Sequence, residues 1–239
     1  MAHTDLFWQP TRPAEGFYAS EVQLADRWPI RTFLPFGYEP NYPYPLLVFF
    51  HGHGDDEEQV LRLAPRLSRR NYICISLRGP DRLGLRQDGR VSFGWGQDGQ
   101  CDGPIEDYVL RAVEQTRRSY HVHSERVYLA GVWEGATLAY RLGLSFPERF
   151  AGIISLNGQM PKRGCPLVRL NELRSLKVFI GHGIANSIVP LTLARQDSRL
   201  LYTAGLSVHL QSYATTNRIH PDMLRDVNRW VMGHVNGDA

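Results

Sequence analysis

Four short stretches carry residue types at spacings that could do chemistry. In "LAGVWEGATLAYRL", Leu129 to Leu142, Gly131 and Gly135 stand four apart where a strand pattern gives way to a helix pattern. A strand-to-helix turn of this kind needs small flanking residues, and its central position presents the side chain that a nucleophilic serine would occupy. Here the centre is Trp133, which has no nucleophilic atom. In "FFHGHGDD" an apolar run ends in His51-Gly52-His53-Gly54, where glycines let backbone N–H groups turn toward a ligand, as an oxyanion hole requires. "GHGIANSIVP", Gly181 to Pro190, follows a late strand, and "ATTNRIHPDMLRDVNRW" sets His220 between the last strand and the last helix. The chain order is thus nucleophile, acid, histidine.

Each stretch also has a plainer reading. Two glycines four apart are weak until placed at a turn, a glycine turn often has no function, and a lone histidine is more often structural. The histidines and aspartates of "HGHGDD" also admit a metal ion. That reading is much the weaker one, and neither a metal nor another cofactor is expected.

The elements that would position these residues alternate along the chain. "FYASEVQLA" and "IRTFLPFGY" read as two antiparallel strands about a polar turn, and "LLVFFHG" and "NYICISL" as strands buried on both faces. "DDEEQVLRLAPRLSRR" is a helix with acidic residues first and arginines last, kinked or divided at Pro65. "GPIEDYVLRAVEQTRRSY" has Pro104 in its first turn and an apolar face through Ile105, Val109 and Val113. "RVYLAG", "FAGIISLNG", "LKVFIGHG" and "LSVHLQSY" continue the strands; helices follow Gly131, Pro190 and His220. About eight strands with crossover helices make a mostly parallel open sheet, helices on both faces, in a single domain over residues 1–239. Residues 1–16 form an irregular extension, and the stretch from Leu156 to Ser175 is too short for a separate cap domain.

Composition narrows the function classes. A hydrophobic content of 43% and a charged content of 21% belong to a globular chain with an ample core. The net charge of +3 is carried by arginine, since Lys162 and Lys177 are the only lysines, and no basic run is interleaved with aromatics. Nucleic-acid binding is not expected. Cys74, Cys101 and Cys165 are odd in number, widely spaced and form no C-x-x-C motif, which suits a reducing compartment. With no signal pattern at the start and no apolar run of membrane-spanning length, the expectation is a cytoplasmic protein without a membrane span; the oligomeric state stays open.

From about Phe17 onward the chain resembles the α/β-hydrolase superfamily, nearest its carboxylesterase/phospholipase branch, which includes acyl-protein thioesterases and bacterial esterases. The segment "IRTFLPFGYEPNYPYPLLVFFHGHGDDEEQV" is similar to that branch's opening strands and oxyanion segment. "SLRGP" with "FGWGQDG" resembles its loop bearing an active-site tryptophan, here Trp95, and "HGIANSIVP" resembles its acid loop H-G-x-x-D-x-x-V-P. The resemblance implies a three-layer α/β-hydrolase fold, an oxyanion hole or ligand site at Gly52, His53, Gly54, Glu134 and Trp95, and a catalytic triad. Of that triad only His220 remains. The serine position is Trp133, the acid position is Asn186, and the glycine usually preceding the histidine is Ile219.

These departures bear directly on mechanism. In the family, serine attacks an acyl carbon, histidine carries the proton, and the acid orients the imidazole and stabilises its charge. Indole forms no acyl-enzyme, and Asn186 supplies no charge. Losing a triad serine costs about 10⁶ in turnover, with ~10³ over water left to an intact oxyanion hole. The expected protein is a non-catalytic homologue, a pseudoenzyme that binds a small apolar or acyl ligand or a protein partner. The alternative is an esterase or thioesterase rebuilt around His220, helped by Asp55, Asp56 or Asp222, with Glu134 or Cys101 as other conceivable nucleophiles. Trp133 is expected either to keep the elbow's positive φ, at a cost of about 1–3 kcal/mol, or to let the turn relax. Its indole should fill the acyl space and stack on Trp95 or His220.

Overall fold

The computed structural model describes residues 14–24, 27–96, 102–162 and 175–237. Cys101, Cys165 and most of the expected N-terminal extension lie outside them. Gly16, assigned above to that extension, already opens the first strand.

The strands are β1 (Gly16–Gln23), β2 (Arg27–Leu34), β3 (Tyr44–Phe50), β4 (Ile73–Leu77), β5 (Asp81–Leu85), β6 (Val91–Gly94), β7 (Val122–Val132), β8 (Gly152–Leu156), β9 (Lys177–Gly183) and β10 (Ser207–Tyr213). Eight of them form one sheet in the order β1-β2-β4-β3-β7-β8-β9-β10. β1 and β2 run antiparallel to their neighbours, while every pairing from β4 through β10 is parallel. The central strands are apolar throughout because both faces are covered, and successive residues divide between the two sides. Leu46, Val48 and Phe50 of β3 pack on one side, and Leu47 and Phe49 on the other.

The first side is covered by α3 (Asp102–Ser119), α4 (Glu134–Ser145) and α5 (Leu191–Thr203). Ile105, Val109 and Val113 of α3 are buried there. The second side is covered by α1 (Glu57–Leu61), α2 (Ala64–Leu67) and α6 (Pro221–Asn236). The expected helix after Asp55 is thus divided, with Pro65 in the first turn of the second piece. That placement follows from the missing proline N–H, which costs nothing where a helix has no acceptor to offer. The acidic first turn lies over an N-cap made by Asp56, whose Oδ1 accepts from the Gln59 N–H at 2.8 Å.

One element was not foreseen. β5 and β6 form a separate two-stranded hairpin after β4, within the stretch read above as a loop. Its strands are short, β5 is exposed along its whole length, and a bulge interrupts the register. A weak alternation with "DG" at Asp88-Gly89 was the available signal. The hairpin is pinned to the sheet's end through Gly54 N–H to Phe93 O at 2.9 Å and Phe93 N–H to Asp55 O at 3.0 Å.

The turn from β7 into α4 brings backbone against backbone. A Cβ added at Gly131 would lie 2.1 Å from the Gly135 carbonyl oxygen, and one at Gly135 would lie 2.2 Å from that of Phe50. Both neighbours are backbone and have nowhere to go. Gly131→Ala is therefore expected to destabilise the protein by at least about 2 kcal/mol. Gly233→Ala, in a helix with nothing within 4 Å of the new methyl, should be neutral or stabilise by up to ~1 kcal/mol. Urea unfolding of the two variants beside wild type checks the contrast.

Candidate functional site

The expected site residues lie at the carboxyl ends of the parallel strands, where open sheets bind ligands. Trp133 occupies the tip of the β7–α4 turn at φ 52°, ψ −115°. Positive φ is an outlier for so bulky a residue, so the turn has kept its strained form. Three contacts hold it. The Trp133 N–H donates to Leu156 O at 3.0 Å, and the Ala136 N–H donates to Trp133 O at 3.1 Å. The indole Nε1–H donates to Asn217 O at 2.8 Å. The ring lies flush on Gly52, whose added Cβ would come within 2.2 Å of Cε3. The expected stacking on Trp95 or His220 is replaced by other contacts. Trp95 packs against Phe50 and His51, at ring-centroid distances of 5.4 and 4.9 Å, while His220 faces Tyr213 at 6.4 Å. The cause is hydrogen bonding: a half-buried indole N–H needs an acceptor, and the Asn217 carbonyl supplies it.

His220 begins α6. Its Nδ1 accepts a hydrogen bond from the Asp222 N–H at 3.2 Å and so caps the helix. The Asp222 carboxylate stands 3.7 Å from the same nitrogen and is also bound by Arg225. In a triad Nδ1–H must donate to the acid. Here Nδ1 is an acceptor, which leaves the neutral ring's proton on Nε2.

Asn186 is buried on the loop after β9, and its Oδ1 accepts from the Ile188 and Val189 N–H groups, each at 3.0 Å. Its bonds close its own loop. His182, in the strand before it, is fully buried, and its Nε2–H donates to Val189 O at 2.7 Å. Burial lowers its pKa below the ordinary 6.5.

The oxyanion segment divides by role. His51 is fully buried: its Nε2 accepts from the Gly79 N–H at 2.9 Å, and its Nδ1–H donates to Gly52 O at 2.8 Å. Burial again holds this imidazole below 6.5, so it is neutral and structural. Trp95 is buried too, and its Nε1–H donates to His51 O at 2.9 Å, making it part of the wall. The Gly54 N–H is committed to the hairpin, which leaves that residue no donor for an oxyanion. His53 lies on the turn beyond β3 and meets Glu134: Nδ1 and Oε2 are 3.4 Å apart. Burial raises the Glu134 carboxyl above its ordinary range, partly offset by His53. The Glu134 N–H heads α4, outside the helix's own ladder.

Asp55 and Asp56, weighed above as supports for His220, are held elsewhere. Both face Arg86, at 3.6 Å for Asp55 and in a close pair for Asp56.

One positioning residue escaped the sequence reading. Asn157, directly after β8, is buried at φ 57°. Its Nδ2 donates to Asn217 O and Arg218 O, each at 3.1 Å, and its Oδ1 accepts from the Gly183 N–H at 2.8 Å. It ties the strand ends to the loop that carries His220, and it shares the Asn217 carbonyl with Trp133. The available signal was "LNG" at a strand end, since asparagine tolerates the left-handed region and bonds neighbouring backbone.

The strand order, the left-handed turn into α4 and the histidine before the last helix define an α/β-hydrolase fold. Residues 40–235 match the phospholipase/carboxylesterase family model. The chain belongs to that family. An uncharacterised hydrolase of Schizosaccharomyces pombe is 28% identical over 131 residues, 48% of this chain and 54% of that protein, so the match spans about half that relative's length. Acyl-protein thioesterase 1 of Mycosarcoma maydis is 24% identical over 172 residues, 62% of this chain and 71% of that protein. Among solved structures, a carboxylesterase from Mesorhizobium loti superposes with a TM-score of 0.72 at 19% identity, covering 90% of this chain and 99% of its own. Zea mays acyl-protein thioesterase 2 gives 0.67 at 16%, covering 85% and 97%. At these identities the structures establish the fold.

The two buried neutral histidines predict a pH dependence. An unfolded imidazole titrates near 6.5, while His51 and His182 titrate lower when folded, so the unfolded chain binds more protons below that pH. Their contribution is complete above about pH 6.5 and is lost as pH falls through the folded values. Urea midpoints should drop between about pH 7.5 and 5. His182→Leu should lower stability at neutral pH yet flatten that decline.

Proposed function

We propose that this protein is a non-catalytic member of its family, a pseudoenzyme that binds a small apolar or acyl ligand without turning it over. One observation carries the reading: the indole of Trp133 stands where the family's reaction begins, seated on Gly52 and hydrogen-bonded to Asn217. Two independent features support it. His220 Nδ1 caps α6 and accepts where a triad histidine must donate. Asn186 brings no charge to the acid position and spends its oxygen within its own loop. An apolar or acyl ligand class follows from the esterase and thioesterase relatives. It is also supported by Ile184 and Ile188, which flank Asn186 on the same loop and are 55% and 71% exposed.

The second reading, a hydrolase rebuilt around His220, draws support from the Glu134–His53 pair. A carboxyl raised by burial beside an imidazole is an acid–base pair of the kind hydrolysis uses. Against it, Asp222 serves Arg225 and the helix cap.

The two readings separate cleanly in one experiment. Wild type is expected to resist labelling by a serine-directed fluorophosphonate and to leave short acyl esters and thioesters within ~10³ of their uncatalysed rates. Trp133→Ser/Asn186→Asp should gain both labelling and ester turnover, as removal of the indole opens the space above Gly52. Saturable hydrolysis by pure wild type that disappears in His220→Ala or Glu134→Gln would overturn the reading in favour of the rebuilt site.

A further inference from the structure

A second cleft, on the other side of the wall built by His51 and Trp95, carries chemistry of its own. It is a concavity of ≈ 570 Å³ where the ends of β2 and β4 meet the β5–β6 hairpin, and Arg27, Trp28, Arg78, Arg82 and Phe93 line it together with Gly79. That volume falls in the range of small-molecule sites. We propose that this cleft binds an anionic aromatic small molecule, a planar ring carrying a carboxylate or phosphate.

Arg78 gives Nε and Nη2 to Glu57 at 2.7 and 2.5 Å, which fixes its guanidinium over the Phe93 ring at 4.7 Å from the centroid. The side chain remains 33% exposed, and Nη1 is left for a ligand. Glu57 is wholly buried and also faces Arg31 at 3.6 Å; Arg31 in turn pairs with Glu58 at 3.2 Å, so these two arginines and two glutamates balance. Arg27 meets Glu21 at 3.8 Å on the rim, where both side chains are mostly exposed and such a pair is easily exchanged. Arg82 is exposed on β5 and has no acidic partner among the described residues. Its neighbour Asp81 does not compensate it. Adjacent strand residues face opposite ways, and Asp81 lies toward Gly96 and Glu134, raising the Glu134 carboxyl. The cleft therefore holds an excess of guanidinium, the group best suited to grip a planar or tetrahedral oxyanion with paired N–H donors.

The aromatic half is equally built. Trp28 packs on Tyr108 with ring centroids 4.6 Å apart, and the Tyr108 hydroxyl is bonded to Pro29 O, which holds that stretch of β2 in place. The floor is backbone: a Cβ at Gly79 would lie 2.2 Å from Gly94 O, so glycine alone lets β4's exit press against β6. A fixed arginine beside the Trp28 indole suits a flat anion better than a free ion or an uncharged ring.

The inference stands apart from any reading of Trp133 and is tested by titration calorimetry on the full chain. The ligands are 1-naphthyl phosphate and 1-naphthoate, with inorganic phosphate and 1-naphthalenemethanol as single-feature controls. At least one naphthyl anion should bind saturably, about tenfold or more tighter than either control. Comparison of the two anions tells whether phosphate or carboxylate is preferred. Arg82→Ala, exposed and free of structural bonds, should weaken binding at least about fivefold, and Arg82→Lys should recover part of it. Lys177→Ala, at the far end of the sheet, should leave it unchanged. Absence of saturable binding, equal binding of the neutral alcohol, or affinity untouched by Arg82→Ala would each overturn the proposal.

Discussion

The architecture of the site depends on backbone meeting backbone at the turn from β7 into α4. Gly131 lies against the Gly135 carbonyl and Gly135 against the carbonyl of Phe50, with no room for a methyl group at either place. This contact lets α4 start directly above β3 and β7, and it forces the intervening residue into the left-handed region. The geometry is usually discussed as a device for displaying a nucleophile. In this chain it persists with no nucleophile to display, because strand–helix packing needs it whatever stands at the tip. The strain at Trp133 is offset locally, by hydrogen bonds to Leu156 and Asn217 and by the ring's contact with Gly52.

With the turn fixed, the polar groups around it settle into self-contained arrangements. A working triad needs an unbalanced chain of donors and acceptors, ending in a buried carboxylate that favours a charged imidazole. Here the polar groups close on their neighbours. His51 bridges Gly79 and Gly52, Asn186 closes its own loop, and His220 caps a helix. Buried carboxylates stand away from the elbow, Glu57 beneath Arg78 and Asp56 beneath Arg86, where they hold α1 and the hairpin in place. Glu134 sets one carboxyl beside His53 at the strand ends.

Much of this was legible in the residues. Continuous apolar runs marked the buried strands, Pro65 marked the division of a helix, and the glycine pair marked the elbow. The positions of Trp133, Asn186 and His220 followed from their order along the chain. What could not be read was partnership. The indole's choice of Asn217, the His220 Nδ1 acting as acceptor and the role of Asn157 depend on how the 214–220 loop falls, and no local pattern encodes that. The β5–β6 hairpin was missed for a related reason. Its strands are too short and too exposed to show the alternation that burial imposes, and only its edge contact with Gly54 and Asp55 makes it a structural element.

The elbow and the arginine cleft are two sides of one wall. His51 receives the Gly79 N–H on one side and supplies its carbonyl to Trp95, while its own Nδ1–H binds Gly52 beneath Trp133. Each hydrogen bond in this wall joins neutral partners, and each partner is inside the protein. His51 and Trp95 thus spend their ring N–H groups inside the protein. The chemical asymmetry of the two sides follows. One side is sealed by an indole over glycine, and the other presents guanidinium groups whose carboxylate partners are buried or on the rim. A fold that supports chemistry at strand ends does so through whichever side chains stand there. In this chain those on the elbow side have been satisfied internally, and unspent charge stands instead around Arg82.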